Sequence, residues 1–232
     1  MIKSWICFMA INTQIVITFI LLIGSILFFA LTSIDEQIQE NFFNFNTNSW
    51  QLNRHTDPYH FIFYTLSKKL LIIFGVGLLF SLLFLKNTPF VQTYKKGILI
   101  VVLSAIFIPL VVGGLKKSTN MPCPRDEIHY GGSYPKTAVW ERYSKSFQNK
   151  KKMLCWPAGH ASGGFALLSL FFLFRKQQNR YLALLFALGV GWSMGGYKML
   201  IGDHFFSHTV ITMILAWLIV LVIAKGVKYE TP

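Results

Sequence analysis

Apolar and polar positions alternate along this chain on the scale of a bilayer, not of a single helix face. Six runs of roughly 17 to 25 residues, the length an apolar helix needs to cross a membrane, dominate the pattern. They fall at approximately 11–33, 69–86, 97–115, 157–174, 181–201 and 205–224. The first follows Lys3. It is too long for a signal-peptide core and no small-residue cleavage site follows, so it reads as an anchor. The second starts at Lys68-Lys69, whose aliphatic stems can lie along lipid. The fourth reaches spanning length only if its helix begins near Pro157, a residue suited to a first helical turn. The stretch 34–68, rich in Asn, Gln and aromatics, reads as an outer loop with an interfacial part. The pattern predicts an all-α, polytopic membrane protein: a six-transmembrane-helix bundle, one domain over 1–232.

Charge then orients the bundle. With the N-terminus inside, the inner segments hold Lys3, Lys86, Lys95, Lys96, Arg175, Lys176, Arg180, Lys225 and Lys228, against Glu230 alone. Asp35, Glu36, Glu40, Asp57, Asp126, Glu127, Glu141 and Asp203 all fall outside. Short, purely basic inner loops are what the positive-inside rule requires. The 116–156 loop is also basic, with nine Lys or Arg, yet lies outside; its length gives it less weight in that rule. An anionic lipid headgroup is the partner such a loop suits. A plain solvated basic loop is the alternative.

Composition agrees with the pattern: 53% of the 232 residues are hydrophobic and 13% charged, too few charges for a soluble surface. The net charge of +13 does not indicate nucleic acid, because no nucleic-acid-binding module is present. Cys7 reads as a small buried hydrophobe. Cys123 and Cys155 bracket the outer loop, in a compartment that favours a disulfide between them; two free thiols are the other arrangement. The cysteines do not have metal-ligand spacing.

Three polar clusters interrupt the apolar runs at the outer face. Pro157-Ala158-Gly159-His160 opens the fourth run, with Ser162, Gly163 and Gly164 behind it. Free N–H groups at a helix start attract phosphate oxygens, Gly159 admits a close approach, and His160 can exchange a proton near neutral pH. Small-residue helix packing also explains the glycines, but not the histidine. Lys198, His204 and His208 bracket the bend between the last two runs. The two histidines share a face if the last helix starts near Asp203. A histidine steadied at one ring nitrogen is a good nucleophile through the other, and a lysine can hold phosphate oxygens. Lys116 and Lys117 end the third run, with Arg125 beyond.

In order and spacing these segments resemble the type 2 phosphatidic acid phosphatase superfamily, integral-membrane branch. Its pattern is Lys-x6-Arg-Pro, then Pro-Ser-Gly-His, then Ser-Arg-x5-His-x3-Asp. This chain reads Lys116-x6-Cys123-Pro124 followed by Arg125, then Pro157-Ala158-Gly159-His160, then Lys198-x5-His204-x3-His208. Ala158 stands for the serine, Lys198 for the second arginine, His208 for the aspartate and Cys123 for the first arginine, with Arg125 two residues on. Lys117 is an alternative to Lys116 in the first motif. The resemblance implies a lipid phosphatase that needs no metal or other cofactor. It implies that His204 attacks phosphorus, His208 orients it, and His160 protonates the leaving oxygen and then activates water. Lys116, Arg125, Lys198 and the amides near Gly159 would neutralise the phosphoryl oxygens. It implies a bacterial inner-membrane protein whose active site faces the periplasm. The basic loop favours a large anionic glycolipid such as lipid A; undecaprenyl pyrophosphate and phosphatidylglycerol phosphate are alternatives. A lipid phosphotransferase, and a non-catalytic binder or transporter of phosphate lipids, are the competing functions.

Overall fold

The computed structural model describes residues 10–54, 58–143, 147 and 152–229. Lys3, Cys7, Asp57, Lys145, Lys150, Lys151 and Glu230 lie outside that set.

Among the described residues the fold is helical apart from one hairpin of two two-residue strands. In chain order come α1 (Ile11–Leu31), a short α2 (Ile34–Glu40), β1 (Phe43–Asn44) and β2 (Ser49–Trp50). Then follow α3 (Phe61–Phe84), α4 (Pro89–Ser118), α5 (Gly159–Phe172), α6 (Gln177–Leu200) and α7 (Phe206–Gly226). Helices α1, α3, α4 and α7 are long and apolar enough to cross a membrane. Helix α3 is the plainest case: it buries no residue, yet exposes Ile72, Ile73, Val76, Leu83 and Phe84. A helix apolar all round suits lipid and not water.

Three boundaries differ from the sequence pattern. Helix α3 starts at Phe61 with a π-helical turn (Phe61–Leu66), eight residues before the apolar run. Helix α4 starts at Pro89, which takes the N1 place after Thr88, so Lys95 and Lys96 sit in the helix and not in a loop. Helix α5 starts at Gly159 with Ala158 as N-cap, so Pro157 precedes the helix instead of opening it. Periodicity locates apolar stretches, and helices run past them wherever polar residues still bond their own backbone.

Helix α5 is the centre of the bundle, in contact with α3, α4, α6 and α7. It begins as α-helix (Gly159–Ala166) and tightens to 3-10 helix (Leu167–Phe172). At about 1.5 and 2.0 Å rise per residue the two parts together reach roughly 24 Å. Its small residues permit the packing: a Cβ on Gly164 would lie 2.7 Å from the Gly191 Cα of α6. Such backbone approach is how helices associate in lipid, where hydrophobicity gives no drive between them.

At one end of the bundle, basic side chains tie segments together. Arg180 donates to the Phe174 carbonyl (2.8 Å) and the Tyr229 hydroxyl (2.9 Å), Lys96 to the Lys228 carbonyl (2.7 Å), and Arg175 to the Thr93 carbonyl (3.0 Å). At the opposite end, the 34–54 stretch is a structured cap over the α6–α7 bend. Buried Gln39 donates to the Met199 carbonyl (2.9 Å), and the Leu52 N–H to the Leu200 carbonyl (3.2 Å). Trp50 packs onto Gly202, where any Cβ would lie 2.3 Å from the indole and φ is +70°. Both facts demand glycine there.

Candidate active site

Three chain segments converge beneath this cap. The first is the C-terminal end of α4 and the Cys123–Asp126 turn. Lys116 lies along Gly159, its Nζ 3.3 Å from where a Cβ would be. A larger residue at 159 would displace the lysine. Lys117 is exposed on the same helix end, and its carbonyl accepts from Lys152 (2.6 Å). Of the two candidates, Lys116 is the one brought to the glycine. The 123–125 turn is held by a Cys123–Cys155 disulfide with Cα atoms 5.2 Å apart. The expected bridge is present, and it joins the first segment to the second.

The second segment is the start of α5. The Ala158 N–H donates to Thr212 Oγ1 (2.9 Å) on α7, and Ser162 Oγ to the Gly159 carbonyl (2.6 Å). Ser162 is therefore occupied within its own helix. Half-buried His160 packs against Tyr64, ring centroids 4.5 Å apart and the planes tilted by 36°.

The third segment is the α6–α7 bend. Lys198 ends α6 and donates from Nζ to Asp203 Oδ2 at 2.7 Å, while Arg125 pairs with the other oxygen of the same carboxylate. The Lys198 Nζ also lies 5.0 Å from the Tyr64 ring centre. The Asp203 and His204 N–H groups both donate to the Lys198 carbonyl, at 2.8 and 3.2 Å, and close the bend. His204 lies before α7, not within it, so the shared helical face expected from the spacing is replaced by the bend. The rings meet nonetheless: Nδ1 of His204 is 3.3 Å from Nδ1 of His208. Both are buried. Burial, with Lys116 and His208 adjacent, holds the His204 imidazole well below its usual pKa. The ring is neutral near pH 7. If Nδ1 carries the proton and donates it to His208, Nε2 keeps a free lone pair.

Asp203, which the sequence placed at the bend without a role of its own, and two residues that sequence reading passed over support the site. Asp203 joins Lys198 to Arg125; its place next to His204 was the available signal. Tyr64 contacts both His160 and Lys198, from a stretch read as an outer loop with an interfacial part. Asp35 on α2 accepts the Ser207 N–H (2.8 Å) and its hydroxyl, capping the start of α7 from 172 residues away. No local pattern announces such a cap.

Cys155, His204 and His208 each place one donor atom within 4.8 Å of the others. The disulfide removes the Cys155 thiolate, so only two imidazoles have metal-ligand character.

Two buried imidazoles, three cations and a helix start gathered at one end of an apolar helical bundle can hold an anionic group. The family model of the PAP2 superfamily matches residues 97–232, more than half of the chain. The chain belongs to that superfamily, and its function is of the phosphatase type. No curated protein and no solved structure matches it.

Proposed function

We propose that the protein is a membrane lipid phosphatase that removes phosphate from an anionic lipid, with lipid A the preferred substrate, at the outer face of a bacterial inner membrane. The observation that carries the lipid reading is a cavity of about 530 Å³. Lys116, Gly159 and His160 line it at its polar end, and Leu71, Gly75 and Leu79 of α3 and Val101, Ala105 and Pro109 of α4 line its length. From Val101 to Lys116 the helix rises roughly 22 Å at 1.5 Å per residue. A phosphate held by the cations would leave its acyl chain along this apolar groove. The reading includes six spans: besides the four helices long and apolar enough to cross a membrane, α5 would reach far across the hydrocarbon layer, and α6, with 24 residues, has the length to cross it.

The reaction runs through His204. Its Nε2 attacks phosphorus and forms a P–N bond while the P–O bond to the lipid breaks. His160 gives its proton to the departing oxygen, then takes one from the water that cleaves the phosphohistidine. His208 orients His204, and Lys116, Lys198 and Arg125 neutralise the equatorial oxygens, the chief electrostatic demand of phosphoryl transfer. The Lys198–Asp203–Arg125 arrangement supports this role, since one carboxylate fixes the direction of two cations. Arg125 thereby stands in for the arginine that Cys123 replaces.

The test is phosphate release by purified protein in detergent from a panel of lipid A, undecaprenyl pyrophosphate, phosphatidylglycerol phosphate and a soluble phosphate ester. Fastest release from lipid A supports the proposal. Faster release from another lipid changes the substrate. Phosphate appearing on a second lipid makes the protein a transferase, and lipid binding without turnover makes it a binder.

A further inference from the structure

A second cavity of about 250 Å³ lies behind the first turn of α7, enclosed by the outer end of α1, by α2 and by the 121–141 loop. It is separate from the groove and shares none of its lining residues. Four carboxylates line it: Asp35, Glu36, Glu127 and Glu141, with Lys136 the one cation. Three of the four are engaged. Asp35 holds Ser207, Glu36 accepts Lys136 Nζ at 2.8 Å, and Glu141 accepts the Ala138 N–H at 2.7 Å. Glu127 is 1% exposed, and neither carboxylate oxygen has a hydrogen-bond partner. A buried carboxylate left so is costly, and native structures rarely tolerate it without a ligand. Trp156 lines the same cavity, and its Nε1–H is also buried without a partner.

The chemistry of the walls selects the occupant. A hard divalent cation wants six or more converging oxygens. Among the described residues, only Cys155, His204 and His208 bring three such ligand atoms together, so the carboxylates here do not converge. A carboxylate beside Trp156, Phe205 and Phe29 suits an ammonium, which gains from both charge and aromatic rings. The free indole N–H asks in addition for an oxygen close to that nitrogen. The volume equals about eight waters at 30 Å³ each, the size of a headgroup and not of a whole lipid. We propose that this cavity binds the ammonium of a small amino-alcohol group, with Glu127 as its counter-charge and Trp156 as donor to its oxygen. The group is either the headgroup of an ethanolamine lipid or a soluble amine of the same kind.

Calorimetric titration of ethanolammonium into the detergent-purified protein tests this, with ethanol and magnesium chloride as controls. Saturable binding of ethanolammonium alone is expected. Glu127→Gln weakens it about tenfold or more, as loss of a hydrogen bond to a charged group does. Lys136→Met, which removes the competing ammonium, tightens it. Ala138→Leu, at the cavity wall, abolishes it and decides the matter if Glu127→Gln does not fold. In bilayer discs, phosphatidylethanolamine that blocks the titration identifies the lipid as source; an unchanged titration identifies the soluble amine. Equal affinity in the parent, Glu127→Gln and Ala138→Leu overturns the proposal, as does binding of magnesium in place of ethanolammonium. Since binding is read directly, failure here is distinct from failure of the phosphatase reading.

Discussion

At the scale of residues, function rests on side chains whose partners are few and close. His204 has the His208 ring at 3.3 Å, so in the proposed mechanism an imidazole does the orienting that an aspartate does in the family pattern. His208→Asp is therefore expected to keep most activity and His208→Ala to lose an intermediate amount. His160→Ala should lose roughly 10²–10⁴-fold in rate while still binding lipid, the usual worth of a general acid or base. Single-turnover rates for the three variants check this ordering. Asp203 makes a separate prediction. Lys198 and Asp203 are almost wholly buried, and removing one partner of such a pair costs about 3 kcal/mol or more. Asp203→Asn should lower the melting temperature, and inorganic phosphate should restore part of the loss by replacing the carboxylate. Glu127 gives a pH dependence. Burial, with Glu36 nearby, raises its pKa from 4.5 to about 8; an ammonium bound beside it would lower that value and draw out the carboxylate form. Between those values the folded protein keeps a proton that the unfolded chain has released, so stability falls as pH rises through that window. Glu127→Gln should be more stable than the parent at and above pH 8, and equal to it below pH 4.5, in thermal melts.

At the scale of elements, the apolar runs were legible because the bilayer sets their length. Runs 11–33, 181–201 and 205–224 fall within a few residues of α1, α6 and α7. What the pattern did not yield is tertiary. The π-helical start of α3 carries Tyr64 to His160, and that meeting depends on helix packing, not on any property of residues 61–66 themselves. Asp35 reaches Ser207 across 172 positions, beyond any local signal. The four candidate catalytic and phosphate-binding positions of the bend and of α5 (Lys198, His204, His208 and His160) were visible because polar groups at a membrane edge are costly and therefore conspicuous. The cap residues were hidden because polar residues in a loop are ordinary. The glycine contact of α5 with α6 gives a prediction at this scale. Gly164→Val, whose branch would enter the Gly191 backbone, should destabilise by roughly 1–3 kcal/mol or prevent folding, read by yield and melting temperature. The disulfide spans 32 residues. Reducing it should cost about 3–4 kcal/mol in the chain-entropy account, with loss of activity as the first motif drifts from the second.

At the scale of the whole molecule, charge and chemistry sit at opposite ends. The cations at one end tie helix ends together, while Lys116, Arg125 and Lys198 gather under the cap at the other, the end we propose faces outward. This separation predicts sidedness: a cysteine at position 145 should react with an impermeant reagent in intact spheroplasts and one at 178 should not. The reverse result would turn the catalytic end inward. A groove, a cation cluster and an unencumbered imidazole nitrogen at one end then make one chemical proposal, attack by His204 on a lipid phosphate. Rapid quench of purified protein mixed with radiolabelled lipid phosphate, followed by peptide mapping, tests it directly. Acid-labile, base-stable phosphate that maps to His204 and vanishes in His204→Ala is the predicted result. Label on His160, or full turnover by His204→Ala, would contradict it.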